Sequence, residues 1–309
     1  MGFTCSHADS SLFVLSRGAD LIYLLLYVDD IVVTSNNSSL LDGFIGKLTR
    51  EFATKDLRSL NYFLGLEAHR TFAGLFLNRV KYAHEILQHA QLLDSKLVST
   101  PMVVAYHLSA TGSDFGDPSL YRSLVGVLQY LIITRLDIAH AVTTVIFTSS
   151  SSREILAYSN ADWARCPDTR RSISDFAIYF GDKIMSWSSK KQLAVSRSSY
   201  ESEYRALALT DAKVKWLCHL LCDLHVLSVS SPIMLCDNQS SIFFAIHPVS
   251  HKHSKHIGLD YHFARELVAS GELHIRYVPT NLQVAYVFTK SLGKPAFIFL
   301  QSKLRVKDS

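Results

Sequence analysis

Two adjacent carboxylates, Asp29 and Asp30, stand between aliphatic runs in the segment LLLYVDDIVVTS. Two ionised groups about 4 Å apart repel by roughly 4 kcal/mol at an effective dielectric near 20, so this placement calls for a reason. Paired carboxylates at a strand turn can bind Mg2+, which takes hard oxygen ligands and often completes its shell with phosphate oxygens. Aspartate also favours turns for conformational reasons alone. A metal site and a plain hairpin tip therefore both remain open for this pair.

Strand and helix signals alternate through the first half of the chain, and they place the Asp pair at or near a hairpin turn. Ser38 and Ser39 can cap the helix that follows, because apolar residues recur there at helical spacing. The predicted strands cover residues 12–15, 21–33 and 60–67, and the predicted helices cover residues 41–52, 82–92, 121–133 and 138–146.

A polar tract, Thr148-Ser-Ser-Ser-Ser152, is the best candidate for a domain boundary on composition. Beyond it, strands first and then alternating strands and helices indicate an α/β or α+β fold. The predicted strands are 155–159, 173–180, 183–188, 233–236 and 273–278, and the predicted helices are 199–223, 239–246, 256–268 and a C-terminal set. We therefore divide the chain into residues 1–147, a serine-rich junction at 148–154, and residues 155–309.

Composition excludes several classes of protein. With 309 residues, 48% of them hydrophobic and 19% charged, the chain can form two domains with real cores. The longest apolar run, residues 21–28, is too short to span a bilayer, so we expect no membrane partner. Five scattered cysteines indicate reduced thiols and an intracellular protein. Residues 155–309 carry 19 Lys and Arg against 13 Asp and Glu, which suits a polyanionic partner.

The segment Tyr27-Val28-Asp29-Asp30 resembles the Y-x-D-D box of reverse transcriptases, and its surroundings are similar to those of copia-type retrotransposon Pol polyproteins. The similarity continues in order through SHADSSLFVL, FATKDLRSLNYFLGLEAHR, GLFLNRVKYAHEIL, YRSLVGVLQYLIITRLDIAHAV, YSNADWARCPDTRRSIS, MSWSSKKQLAVSRSSYESEYRALAL, LCDNQSSI, SKHIGLDYHFARE and RYVPTNLQVAYVFTKSL. The resemblance covers nearly the whole chain. It implies a partial reverse-transcriptase palm and thumb, followed by an RNase H-like mixed-sheet domain.

The resemblance assigns Asp29 and Asp30 to a polymerase site in which three Asp side chains hold two metal ions. It places the third Asp on an upstream strand that this sequence does not include, so we expect no polymerase activity from this chain alone. The segment between DIAHAV and YSNADW is also shorter than the family pattern. We therefore interpret the chain as a truncated, internally deleted remnant of a transposable element.

For the second half, the resemblance implies four carboxylates that bind two Mg2+ ions and cleave the RNA strand of an RNA–DNA hybrid. Glu203 and Asp237 match two of them, whereas Asn160 and Tyr286 stand where the family has Asp. An amide carries no charge and bridges two ions poorly, and a phenol ionises only near pH ~10. Asp162 would face the same side as Asn160, but roughly 7 Å away. We therefore expect an inactive or barely active nuclease, a pseudoenzyme.

Basic residues of the second half are candidates for phosphate contacts, although each alone is an ordinary surface charge. They are Lys190, Lys191, Arg197, Lys252 and Lys255. We expect residual binding of RNA–DNA hybrid, and we expect Trp163 and Trp187 to pack in the core. Whether the chain is an enzyme stays open, because a functioning Mg2+-dependent RNase H could use Glu203, Asp237 and a rearranged Asp162. A repurposed binding module is a third possibility.

Overall fold

The structure is a computed structural model, and it describes most of the chain. The described residues are 2–64, 66–72, 74–78, 80–96, 98, 100, 116–132, 143–147, 152–226, 228, 230–247, 258–304 and 307–308. They form a mixed α/β protein with three sheets. None of the helices in these ranges has the length and apolar character that crossing a bilayer requires.

The first sheet is a four-stranded antiparallel meander in the order β1-β2-β3-β4. Its strands are β1 (Thr4–Cys5), β2 (Leu12–Arg17), β3 (Asp20–Tyr27) and β4 (Asp30–Ser35), and helix α1 (Ser38–Glu51) follows. Leu15, Ile22 and Phe44 join the sheet and the helix in one core. The helix is capped by Asn37, whose side chain accepts from the Leu40 amide, and not by the predicted serines.

A second sheet has the order β14-β8-β7-β6-β5. Its strands are β5 (Tyr62–Phe63), β6 (Leu66–Thr71), β7 (Gly74–Asn78), β8 (Thr143–Phe147) and β14 (Lys307–Asp308), with helices α2 (Val80–His89) and α3 (Pro118–Ile132) in the same half. The helix predicted over 138–146 is wrong where it can be checked, because 143–147 pair with β7 as a strand. Consecutive β-branched residues favour that strand. Residues 138–142 lie outside the described residues.

The third sheet forms the second half of the chain. Its strands are β9 (Ile155–Asp162), β10 (Ile173–Phe180), β11 (Lys183–Lys191), β12 (Ile233–Cys236) and β13 (His274–Tyr277), in the order β11-β10-β9-β12-β13. The first three are antiparallel, while β12 runs parallel to β9 and β13. This mixed sheet confirms the fold class that the sequence predicted for this half.

Both faces of the third sheet are covered, so its central strand β9 is buried on both sides. Helix α4 (Ser199–Asp223) packs on one face with α5 (Gln239–Ile246) and α6 (Gly258–Ala269), over a core that includes Ile155, Phe176 and Leu207. The 3-10 turn Val284–Phe288 and helix α7 (Lys294–Lys303) lie toward the other face, where Tyr179 and Leu304 are buried. Polar groups at the end of β9 are therefore held between two packed layers.

The two halves of the chain meet where α4 ends. Asp223 Oδ2 accepts hydrogen bonds from Ser6 Oγ at 2.6 Å, from the His7 amide at 2.9 Å and from the Ala8 amide at 3.2 Å. In addition, Trp216 Nε1 donates to the Ala8 carbonyl at 2.9 Å. One carboxylate thus fixes the loop between β1 and β2 to the end of α4. We refer to these contacts as the Asp223 clasp.

We expect Asp223→Ala to lower the free energy of unfolding by about 2 kcal/mol, because hydrogen bonds to a charged acceptor are worth more than neutral ones. The measurement is urea denaturation followed by circular dichroism. Asp42→Ala on α1 is the matched control, since it removes an exposed carboxylate of the same type. Equal stability of the two variants would show that the clasp contributes nothing.

Candidate functional site

Three polar side chains lie in a row across the ends of adjacent strands of the third sheet. The antiparallel register places Asp175 on β10 directly opposite Asn160 on β9. The parallel register pairs Leu235 on β12 with Tyr158 on β9. Continued for two more residues, this register places Asp237 beside Asn160, on the side opposite Asp175. The order across the sheet is therefore carboxylate, amide, carboxylate.

Glu203 approaches this row from α4. Ser198 caps the helix and Glu201 Oε2 accepts from the Arg197 amide at 2.9 Å, which fixes where α4 begins. Glu203 is buried, and its Oε2 accepts the Ala161 amide at 3.0 Å. Burial, with Asp237 as the next cause, raises the pKa of Glu203 well above its usual range.

Glu203 and Asp237 are brought together with a thiol that the sequence analysis did not single out. Ligand atoms of Glu203, Cys236 and Asp237 all lie within 4.8 Å of one another. Within the part of the chain that the structure describes, this is the one group of three or more metal-ligating residues at such spacing. The structure therefore brings together the two carboxylates that the sequence retained.

Tyr286 lies against Asp237 in the site. Its hydroxyl donates to Asp237 Oδ2 at 2.5 Å, and Thr280 Oγ1 donates to the same oxygen at 3.0 Å. Burial, followed by the hydrogen bond to Asp237, raises the pKa of Tyr286. The phenol is therefore a neutral donor that engages Asp237, rather than an anionic ligand. The sequence alone does not predict this hydrogen bond between Tyr286 and Asp237.

Lys290 places an ammonium group among the acidic residues. Its Nζ lies 3.2 Å from the centroid of the Tyr286 ring. Burial lowers the pKa of Lys290, while four carboxylates oppose that shift, namely Asp162, Asp237, Glu203 and Asp175. The four acids thus favour the charged form of Lys290, and its positive charge offsets part of their mutual repulsion.

These residues do not fit a pair of Mg2+ ions. Such a pair needs carboxylates that bridge ions roughly 4 Å apart. Asn160 supplies a neutral amide, and one oxygen of Asp237 is already bonded to two hydroxyls. Lys290 adds a positive charge that competes with any dication.

Asp175 is a further residue of the site that the sequence analysis did not identify. It is 0% exposed, and its Oδ2 accepts from Asn160 Nδ2 at 2.6 Å and from Thr289 Oγ1 at 2.8 Å. Burial raises the pKa of Asp175 to about 8, although the hydrogen bonds from Asn160 and Thr289 oppose the shift. One signal could have revealed it, because Asp175 is the single charged residue in the strand ISDFAIYF.

The other acidic candidates lie apart from this row of residues or at its edge. Asp29 and Asp30 are exposed at the hairpin between β3 and β4, as predicted, beside Val28 at φ 50. Among the described residues they join no group of three metal-ligating side chains. Asp162 ends β9 and pairs with Arg165 at 3.5 Å.

The predicted basic residues divide into two groups. Lys190, Lys191 and Arg197 are exposed at the end of β11 and just before α4, and Lys191 Nζ lies 3.2 Å from the Cys166 thiol. Lys252 and Lys255 lie outside the described residues. The core position predicted for Trp163 is wrong, because its side chain is 48% exposed and its Nε1 donates to the Ser196 carbonyl. Polar neighbours at this rim hold the indole at the surface.

Another buried carboxyl, Asp211, lies in the middle of α4 and away from the row. Burial raises the pKa of Asp211 to about 7, with Lys215 opposing the shift and Glu272 adding to it. Cys218 also faces this group. The folded chain therefore holds a proton that the unfolded chain releases near pH 3.8, so this stabilisation is lost as pH rises through about 7.

We expect Asp211→Asn to flatten the pH dependence of stability. Relative to the variant, the parent chain should lose roughly 2 to 3 kcal/mol of unfolding free energy between pH 5 and about 7, because each pH unit in which only the unfolded carboxyl is ionised costs about 1.4 kcal/mol. Urea denaturation at each pH measures the difference, with the exposed Glu266→Gln as control. A parent and a variant with parallel pH profiles would contradict the expectation.

Comparison with known proteins gives the same assignment. The family described as "Reverse transcriptase (RNA-dependent DNA polymerase)" matches residues 1–104. The retrovirus-related Pol polyprotein from transposon RE1 of Arabidopsis thaliana is 38% identical over 99% of this chain and 23% of that protein. An uncharacterized mitochondrial protein of the same plant is 41% identical over 63% of this chain and 94% of its own length.

Among solved structures, the N-terminal RNase H domain of a Mycobacterium tuberculosis protein is 13% identical. The alignment covers 49% of this chain and 98% of that chain, with a TM-score of 0.32.

The family match and the mixed sheet define the class, a reverse-transcriptase segment followed by an RNase H-like fold. The chain belongs to the copia-type retrotransposon Pol polyproteins. It spans about a quarter of the length of the Pol polyproteins that it matches, 23% in the Arabidopsis protein.

Proposed function

We propose that this chain is an RNA–DNA hybrid-binding protein derived from a retrotransposon Pol, in which two-metal hydrolysis has been lost. The observation that carries the loss of hydrolysis is the hydrogen bond from Tyr286 to Asp237. The family pattern has a carboxylate at position 286, and a phenol bonded to Asp237 neither binds an ion as an anion nor leaves that oxygen available. Mg2+ is the ion that we propose for the ancestral site.

Binding of a polyanion is supported by the surface beside the site. Lys190, Lys191 and Arg197 are exposed there, and the half-exposed indole of Trp163 is anchored to Ser196, next to Arg197. Cations neutralise phosphates, and an exposed aromatic ring offers a base a stacking surface. The surface therefore combines the two kinds of contact that nucleic acids use.

The test of binding is fluorescence anisotropy with a labelled RNA–DNA hybrid across a salt series. We expect a variant with Lys190, Lys191 and Arg197 all changed to Gln to bind at least about tenfold more weakly and with a smaller salt slope. The matched control changes Lys47, Arg50 and Lys55 to Gln, which removes the same charge from exposed positions of the first half. Equal losses in both variants would indicate a nonspecific charge effect and contradict this interface.

The test of lost catalysis is Mg2+-dependent digestion of the hybrid by the intact chain. We expect no cleavage above that of Glu203→Gln, which neutralises a retained carboxylate. The second candidate function is an active RNase H, which the proximity of Glu203 and Asp237 favours. Cleavage at an ordinary turnover that Glu203→Gln abolishes would establish that candidate and overturn the proposed loss.

A further inference from the structure

We propose that Asp175 supplies the carboxylate that Asn160 lacks, and that Asp175, Asn160 and Glu203 together hold one divalent cation. This inference goes beyond the proposed function, because it concerns an ion site that exists without nucleic acid. Asp175 stands one strand away from the position where the family pattern has Asp. The carboxyl group has therefore moved across the sheet from β9 to β10, and a cation must displace the proton that Asp175 holds below pH about 8.

The register of the sheet makes this exchange possible. Asp175 and Asn160 are directly paired across β10 and β9, so their side chains leave the same face of the sheet. Asn160 Nδ2 donates to Asp175 Oδ2 at 2.6 Å, and Thr289 fixes the same oxygen at 2.8 Å. Glu203 reaches the residue next to Asn160, where its Oε2 accepts from the Ala161 amide at 3.0 Å. The carboxylate is thus held in place beside the residue that it replaces.

Two oxygen atoms of this pair point to a ligand. Asn160 Oδ1 and Asp175 Oδ1 are both fully buried, and neither has a hydrogen-bond partner. Both residues are 0% exposed. Buried acceptors in native proteins nearly always have a hydrogen-bond partner. The unpartnered oxygen on each of these two bonded residues therefore requires an explanation. Below pH about 8 the proton of Asp175 can bridge these two oxygens, and a single cation that replaces this proton would satisfy both oxygens at once.

The chemistry of the donors limits the site to one hard cation. Carboxylate and amide oxygens suit Mg2+ or Mn2+. A second ion would need Asp237 and a carboxylate at position 286, but Tyr286 and Thr280 bond to Asp237 Oδ2. The ammonium of Lys290 also repels an ion, so we expect modest affinity for one ion and none for a second.

The experiment measures Mn2+ binding to the full chain without nucleic acid, using the electron paramagnetic resonance signal of free Mn2+. We expect the parent to bind one Mn2+ ion and Asp175→Asn to weaken binding by at least about tenfold. The swapped variant, Asn160→Asp with Asp175→Asn, keeps the charge and the pairing, and it should bind within about threefold of the parent. Glu266→Gln on the exposed face of α6 is the control and should leave binding unchanged.

The inference is overturned if the parent binds no Mn2+ at millimolar concentration, if Asp175→Asn binds as well as the parent, or if only the swapped variant binds. Should Asp175→Asn fail to fold, Asp175→Ser replaces it, since its hydroxyl still accepts from Asn160. Hybrid binding is measured separately. A chain that binds hybrid but not Mn2+ contradicts this inference and leaves the proposed function standing. A chain that binds Mn2+ but not hybrid supports this inference and contradicts the proposed function.

Discussion

Changing Asn160 and Tyr286 together to Asp should raise Mg2+-dependent cleavage of an RNA–DNA hybrid by about a hundredfold or more over the parent chain. Asp at position 160 would add a carboxylate between Asp175 and Asp237, and a bound Mg2+ ion would favour its ionised form. Asp at position 286 would also end the hydrogen bond that Tyr286 makes with Asp237. The double substitution therefore restores four carboxylates around the position where the family pattern has them.

Two controls make the result interpretable. Asn160→Asp with Tyr286→Asn removes the phenol without adding the second charge, so it should remain near the parent. Adding Glu203→Gln to the active double variant should abolish its cleavage. Circular dichroism and a thermal melt confirm that each variant is folded, because Tyr286 is buried and its loss leaves space. A folded double variant without any gain would show that the missing carboxylates are not the cause of inactivity.

Lys290→Met should destabilise the protein by about 2 kcal/mol near pH 8 in the presence of a chelator, because it removes the counterion of several acids. The carboxylates that lose this partner include Asp237 and Glu203, which lie within 4.8 Å of each other. We expect Mn2+ to restore much of the loss, since an ion that binds only the folded state stabilises it in proportion to its affinity.

Lys303→Met is the matched control, because its ammonium lies 5.1 Å from the Phe299 ring and it is exposed. It should cost only about 0.5 kcal/mol and should respond weakly to Mn2+. The measurement is urea denaturation with and without the ion. A loss of stability in Lys290→Met that Mn2+ does not reduce would contradict the counterion role.

The elements of the second half could be predicted from the sequence because local signals and tertiary packing agree there. Alternating and continuous apolar runs marked β9 to β13, and the bounds of α4 agree with the structure at Ser199–Asp223. The sequence predicts a helix at β8 because this strand continues the apolar stretch of residues 138–146. Its pairing with β7, some seventy residues earlier, decides its conformation, and no local pattern contains that information.

The site was only half predictable for a related reason. Resemblance located Glu203, Asp237 and the substituted positions Asn160 and Tyr286, because each lies in a recognisable motif. Asp175 lies in no such motif, and its role depends on the register of the hairpin between β9 and β10. The polar contacts of Tyr286 and Lys290 likewise depend on a turn more than forty residues from Asp237 in sequence.

The Asp223 clasp and the pairing of β14 with β8 affect whether the chain can be split into two fragments that associate again. Both join residues on opposite sides of the serine-rich junction. A protease that nicks the junction would therefore leave two fragments that still recognise each other. Fragment complementation between separately produced pieces should accordingly succeed, and neither piece is expected to behave as a self-sufficient unit.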